Sequence, residues 1–500
     1  MQIKSFIEKI ENAPTTFWQI LVALFSVSAL RIFAETFSDL DNRWQILPPD
    51  SFIHYCLWFI LTFLTITLAL VLITKQKMVS LLKAQIMFFP VILLAPFIDL
   101  ILSSGQGADI AYIMGREAKE LLYMFLTFFG SLDNFEISIG MRIEIIIAGL
   151  LAGYYVYLKR NKILPALLGF LSVYIIAFIY LALPNIVSLV VNIEYSDKLY
   201  SFVILILALI SLLVLFFLYD QSKFVAFWRN TRPYRIVHYQ LMLWGGWLLG
   251  KTLFSYEIAG WQMIAAAIAL LLAWLAQVGL NDLSDTKIDA ISNQDRPLIK
   301  KVISIPEYQT VTFVLTLLAL LFAYTVSYQY LIFVAIFMII YTIYSLPPLR
   351  LKRVPVLSIF LIAVAALVVF MAGFSLPEHK YLASLPTYII ALILIAFSLA
   401  AHMKDVKDIA GDRAAGIKTL PVLLGEETGK KIVGALVAIS YLAVTLIIPR
   451  FFGGLLLAAI AGGIINYWLI NKKDYQEKFV FVTYFGFLAI LIYYLGKIYL

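Results

Sequence analysis

Two short acidic stretches interrupt a chain that is 63% hydrophobic. "NDLSDTKIDA" (281–290) places Asp282, Asp285 and Asp289 at i, i+3 and i+7, and "KDVKDIAGD" (404–412) repeats that spacing with Asp405, Asp408 and Asp412. On a helix, residues so spaced share one face. Each set therefore predicts a ridge of three carboxylates, which repel one another unless cations neutralise them. Oxygen-only ligands favour a hard ion, Mg2+ above all, which keeps waters and commonly bridges to a substrate's phosphates. Two such ridges with metal between them would clamp a diphosphate.

Fixed cations surround both stretches. Arg296, Lys300 and Lys301 follow the first, "YSLPPLRLKR" (344–353) carries Arg350, Lys352 and Arg353, and Lys404 and Arg413 flank the second. Positive groups beside a metal site stabilise charge developing on a departing diphosphate. Read plainly, the same residues set membrane topology. His402, one turn before Asp405, and His238 are candidate bases or structural histidines, and Arg232 and Arg235 open a helix as cytoplasmic anchors.

Apolar runs of about twenty residues recur from end to end, so the fold class is an all-α polytopic membrane protein. Spans are expected near 17–34, 52–74, 84–103, 141–158, 163–189 and 199–219, a set of six. A polar connector, "DQSKFVAFWRNTRPYR", then marks a boundary near 225. Nine more follow at 235–254, 261–281, 307–326, 329–345, 355–375, 385–403, 430–448, 453–470 and 479–498, fifteen in all. Segment 121–132 is too short to span and reads as re-entrant or interfacial. Loops 282–306, 346–354, 404–429 and 471–478 are rich in Lys and Arg, whereas those near 255–260, 327–328, 376–384 and 449–452 are not. The rich loops, and both acidic motifs with them, are expected on the cytoplasmic side, with the N-terminus inside and the C-terminus outside. The net charge of +8 follows this loop pattern and implies no nucleic-acid partner. Cys56, a single cysteine, allows no internal disulfide. "MQIKSFIEKIENAP" reads as an interfacial helix without a cleavage site.

Together, "NDLSDTKIDAISNQDRPL", "YSLPPLRLKR" and "KDVKDIAGDRAAGIKTLPVLLG" resemble the motifs of the UbiA-type intramembrane prenyltransferases, over about residues 225–500. The resemblance implies a nine-helix bundle, here preceded by about six further transmembrane helices of unknown role (residues 1–224). It implies Mg2+-dependent transfer of a polyprenyl group from a prenyl diphosphate donor to a hydrophobic acceptor among membrane lipids, in a prokaryotic cell membrane. It also implies site residues. Asp282, Asp285, Asp289, Asp405, Asp408 and Asp412 would be catalytic and hold the metal; Asn281, Arg296, Tyr344, Lys352, Arg353 and Lys404 would bind substrate. The wording of both motifs resembles the branch acting on lipid-glycerol phosphates, chlorophyllide or homogentisate-type rings. One departure is "RPLIKKVIS", where family members with this kind of first motif often carry a small Ser-Gly turn.

Residues 1–220 carry no nameable motif. They hold ionisable groups at membrane depth or edge, where charges are costly: Arg31 with Glu35, Asp99, and Arg142 with Glu144. "IDLILSSGQGADIAY" (98–112) reads as a span-ending loop that could line a pocket. The alternative function is a lipid or ion transporter that couples cations through its acidic residues. Transporters place such carboxylates nearer the bilayer midplane.

Overall fold

The computed structural model describes residues 2–38, 47–108, 112–131, 137–190, 195–254, 258–376, 382–445 and 452–499. No strand occurs among them. The loops expected near 255–260, 376–384 and 449–452 fall largely outside the described residues. So do residues 109–111, Leu132, and the last three residues of the 430–448 span.

Contacts divide the chain into two compact units, Met1–Gln221 and Ser222–Leu500. The first holds α1 (Gln2–Glu11), α2 (Phe17–Ser38), α3 (Pro49–Thr74), α4 (Met78–Phe88), α5 (Leu94–Leu102), α6 (Ala118–Leu126), α7 (Ile139–Arg160), α8 (Ile163–Leu181), α9 (Leu183–Val190) and α10 (Asp197–Tyr219). After α11 (Gln221–Arg229), the second holds α12 (Pro233–Phe254), α13 (Gly260–Ser284), α14 (Thr286–Ser292), α15 (Ile305–Val326), α16 (Tyr328–Ser345), α17 (Leu357–Phe374) and α18 (Thr387–Ala400). It ends with α19 (Ile409–Ala414), α20 (Leu420–Leu424), α21 (Glu426–Thr445), α22 (Phe452–Ile470) and α23 (Glu477–Tyr499). Among the described residues, thirteen stretches are helical, long and apolar enough to cross a membrane. The protein is thus an integral, multi-pass membrane protein. Helices α12 and α23, also read as spans, are 22 and 23 residues long and stand outside those thirteen.

Two expectations are corrected. The 84–103 span is a longer rod, Met78–Leu102, that carries a 3-10 turn at Phe89–Leu93. Pro90 there has no N–H to continue the α-helical ladder. The 163–189 span is two helices, because Pro184 opens α9 just after α8 ends. The polar connector is mostly the helix α11. Segment 121–132 contributes only the nine-residue α6, which at 1.5 Å per residue reaches about halfway through a hydrocarbon core.

Small residues set the packing in the second unit, as in membrane bundles where backbones rather than side chains meet. Helix α13 presents Ala265, Ala266, Ala269, Ala273 and Ala276, all fully buried, and its main neighbour is α15. Helices α12 and α17 touch through a reciprocal pair. A Cβ on Gly246 would lie 2.0 Å from the Phe370 carbonyl oxygen, and one on Gly373 would lie 2.0 Å from that of Leu243. Only glycine fits either place.

Candidate active site

Neither aspartate triplet lies on one continuous helix. Helix α13 ends at Ser284, and Asp285 (φ −106°, ψ 13°) is the joint from which α14 departs. In the second motif Asp405 sits in a 3-10 turn, Ala401–Val406, and Asp408 (φ −102°, ψ 6°) starts α19. Both motifs thus break at the middle aspartate. The bend turns the third carboxylate, Asp289 or Asp412, off the axis of the membrane helix and along the mouth of the bundle. Residual i→i−4 hydrogen bonds, Asp289 N to Asp285 O and Asp412 N to Asp408 O (both 2.8 Å), keep each bend tight.

The two bent segments meet. Helices α14 and α19 pack on each other, with Gly411 N donating to Ser292 Oγ at 2.9 Å. Asn293 Nδ2 donates to Asp289 Oδ1 and to Asp408 Oδ1, each at 3.1 Å, so one amide spans the two motifs. Asp285, Asp289, Asp405, Asp408 and Asp412 all line one cavity of about 740 Å³, together with Asn281, Arg296, Tyr344, Lys352 and Lys404.

Two expected site residues are not in that wall. Asp282 lies behind it, 2% exposed. Its carboxylate accepts from Arg232 and Arg296 (both 2.7 Å), Asn230 (2.5 Å) and Tyr308 (3.1 Å). Arg353 is exposed. The short 3-10 turn Leu351–Arg353 points Lys352 inward and Arg353 outward. Arg350, held at φ +41°, also stands outside the cavity wall but donates to Asp285 Oδ1 at 2.8 Å. Lys352 binds the same oxygen.

The cations are fixed by these carboxylates. Arg296 bonds Asp289 as well as Asp282. Lys404 Nζ donates to Asp405 (2.9 Å) and to the Tyr344 hydroxyl (2.7 Å) and stands over that ring. Lys300 pairs with the exposed Asp295 at the surface, as a topology charge would. Burial drives Asp289 up to about 7, against the pull of Arg296, and drives Asp412 up to about 7, with Asp408 and Asp405 adding to it.

A further cluster at the mouth has no local sequence signature. Glu477, at the start of α23, accepts from Arg235 (2.5 Å), Lys407 (2.8 Å) and Tyr234 (3.2 Å). Arg235 therefore ties α12 to α23. His402 is absent from the cavity wall, whereas His238 is part of it.

The "RPLIKK" stretch forms a turn. Lys301 stands at φ +55°, a left-handed conformation that suits glycine and costs other residues about 1–2 kcal/mol. Lys301→Gly is expected to raise stability by up to about 1 kcal/mol, read as a higher thermal midpoint in detergent. A lower midpoint would mean that the lysine side chain holds the loop.

The ionisable groups of the first unit are structural partners. Arg31 pairs with Glu35 (3.0 Å), as read, but also with Glu144 (2.7 Å). Arg142, expected beside Glu144, instead donates to the carbonyls of Phe128, Phe129, Gly130 and Ser131 and so holds the turn after α6. Asp99 accepts from Ser138 (2.5 Å) and Gly140 N (2.7 Å) at the start of α7. A small cavity of about 150 Å³ is lined by Arg31, Glu144 and Tyr112, the last bonded to the buried His54 at 2.7 Å.

A sequence profile of the UbiA prenyltransferase family matches residues 241–491. The chain belongs to the UbiA prenyltransferase family. It is similar to the homogentisate phytyltransferase of Synechocystis sp., at 32% identity over 40% of this chain and 69% of that protein. It is also similar to the digeranylgeranylglyceryl phosphate synthase of Methanoculleus marisnigri, at 29% identity over 40% of this chain and 68% of that one. Among solved structures, a UbiA homolog from Archaeoglobus fulgidus bound to GPP and Mg2+ is 21% identical over 54% of this chain and 97% of its own, with a TM-score of 0.43. This UbiA-family protein is a membrane prenyltransferase. The aspartates of the two motifs stand at helix ends beside fixed cations, whereas a cation-coupled transporter would place them nearer mid-span.

Proposed function

We propose that this UbiA-family protein transfers a polyprenyl group from an isoprenoid diphosphate to a lipid-soluble acceptor of aromatic or glycerol-phosphate type. The catalytic domain is residues 225–500, and residues 1–224 form a separate membrane domain. The observation that carries this reading is Asn293 joining the two acidic motifs at the mouth of one apolar cavity. The acidic mouth is taken to face the cytoplasm, on the charge pattern of the loops.

The residues fit Mg2+. The cavity wall offers the five aspartates, beside a Glu477 already paired with Arg235 and Lys407, yet no three acidic, His or Cys groups among the described residues converge as a ready-made metal site. That suits an ion that usually takes one or two carboxylates and completes its shell with water and substrate phosphates. Asp285, Asp289, Asp405, Asp408 and Asp412 would supply those ligands, while Asp282 braces Arg296 from behind. When bound, Mg2+ would neutralise the diphosphate and make it a better leaving group.

The chain's own residues do the rest. Arg296, Lys352 and Lys404 present positive charge to the diphosphate at the mouth. The prenyl tail lies in the apolar interior, where each buried CH2 contributes about 0.8 kcal/mol. Rings lining the cavity, among them Tyr239, Trp274 and Tyr341, exclude water and offer π faces to the developing allylic cation. Purified protein given geranylgeranyl diphosphate and Mg2+ is expected to release diphosphate, and EDTA to stop the release. Absence of metal-dependent release with any prenyl donor would refute the reading.

A pH dependence follows. Asp289 and Asp412 are each pushed up to about 7 in the metal-free protein, and a carboxylate must lose its proton to bind metal. Apparent Mg2+ affinity is therefore expected to climb between pH 6 and 8, with protons released on binding below pH 7. Calorimetry in two buffers of different ionisation enthalpy reads this directly. An affinity that is flat across the range would show that neither group binds the ion.

A further inference from the structure

The first unit holds a cavity of its own, separate from the acidic motifs. It runs along α3 from Tyr55 to Leu70 and along α7 from Met141 to Tyr155, about 20 Å at 1.5 Å per residue. On α7 the lining residues Glu144, Ala148, Leu151 and Tyr155 are spaced i, i+4, i+7 and i+11, so one helix face supplies the wall. The volume is about 150 Å³, comparable to an engineered cavity that admits one benzene ring. Drawn out over that length, it is a slot for one narrow chain, too slim for a folded or two-chained lipid.

The slot is apolar along most of its length and charged toward the end where α3 and α7 begin. Only Arg31 and Glu144 among its lining residues carry charge. Glu144 Oε2 accepts from Arg31 (2.7 Å) and from Ala95 N (3.2 Å). Its Oε1 accepts from no described residue, and the side chain keeps 13% of its surface exposed. The other polar groups of the wall are engaged. Arg31 also binds the Ile92 carbonyl and faces Glu35 at 3.0 Å. Gln85 bonds Thr67 and the Phe63 carbonyl, Tyr112 bonds His54, and Tyr155 bonds Glu11. Trp58 donates to the Tyr180 carbonyl, and Thr62 to that of Trp58. Glu144 Oε1 is therefore the atom left for a ligand.

We propose that this slot binds an uncharged, single-chain lipid alcohol, with its hydroxyl on Glu144 Oε1 and its chain directed toward Leu70 and Tyr155. A bare hydrocarbon would cover that oxygen and leave it unpaired, which is costly. A hydroxyl both donates and accepts, so it meets Glu144 as a carboxylate or as an acid. Anionic heads are disfavoured. One guanidinium, Arg31, stands among the carboxylates of Glu35, Glu144 and Asp99, the last one turn beyond Ala95 on α5. Arg142, two residues before Glu144, is spent on the carbonyls of residues 128–131. An ammonium head suits the sign but brings three donors to a single open acceptor.

The test photolabels full-length protein in detergent with a diazirine-bearing decanol and maps the modified peptides. Label is expected on α3 and α7. Decanol and geraniol represent the acyl and isoprenoid sources of this chemistry. At least one should compete for that label tenfold better than decane, decylamine or decyl phosphate, and the better of the two names the chain type. Ala148→Phe, which fills the slot one turn past Glu144, should abolish label in the first unit and leave any label on α12 or α23 unchanged. Glu144→Leu should erase the tenfold advantage of the alcohol over decane. Label confined to the second unit overturns the inference, as does wild-type competition by decane, decylamine or decyl phosphate equal to that of the alcohols. The wild-type arms decide this even if a variant fails to fold, and none of them depends on the prenyl-transfer reading.

Discussion

Asp408→Ala is expected to cut kcat/KM for prenyl transfer at least a thousandfold, about 4 kcal/mol of transition-state stabilisation, while the fold survives. Asp408 is half-buried at the cavity wall. Its side chain makes no capping bond to α19, and the side-chain hydrogen bond it receives comes from Asn293. Little structure depends on it, yet it is the carboxylate at which the second motif reaches the first. Comparing diphosphate release with the thermal midpoint separates the two roles. A variant retaining more than a tenth of wild-type turnover would remove Asp408 from the proposed metal site. Asp285→Ala makes a less clean experiment, because it also strips Arg350 and Lys352 of their shared partner.

Arg296→Ala is expected to cost about 3–5 kcal/mol of stability, the range for removing one partner from a buried ionic cluster. The Arg296 side chain is 10% exposed, and its partners Asp282 and Asp289 are 1% and 3% exposed. Asp282 would keep Arg232, Asn230 and Tyr308. Asp289 would keep only the Asn293 amide among the described residues. The strain therefore concentrates on Asp289, and Asp289→Asn in the same chain should recover much of the loss. Thermal unfolding in detergent measures both. A single variant within 1 kcal/mol of wild type would show that water or movement already compensates these carboxylates.

Hydrophobic runs of membrane length made the helices legible in the sequence, and the matched aspartate spacing pointed to the candidate site. The spacing misled on one point: i, i+3, i+7 promised straight ridges, whereas each motif bends at Asp285 or Asp408. Nothing in the local sequence distinguishes a helix from a helix bent by packing, and here the α14–α19 contact decides. Proline breaks at Pro90 and Pro184 were readable in principle, since both interrupt apolar runs. The choice of Arg350 over Arg353 depends on a three-residue turn that no spacing rule fixes. Glu477 was beyond reach, because its partners Arg235 and Lys407 lie 242 and 70 residues away. Likewise, Glu144 chose Arg31 across 113 residues over its near neighbour Arg142.

The glycine contact between α12 and α17 ties the scaffold to the cavity wall. The backbone oxygen that excludes a side chain at Gly246 belongs to Phe370, whose ring lines the cavity beside Gly245. A methyl group added at position 246 would have to displace that peptide unit, and the ring would move with it. Cavity shape and bundle assembly thus share one contact, and drift in either drags the other along.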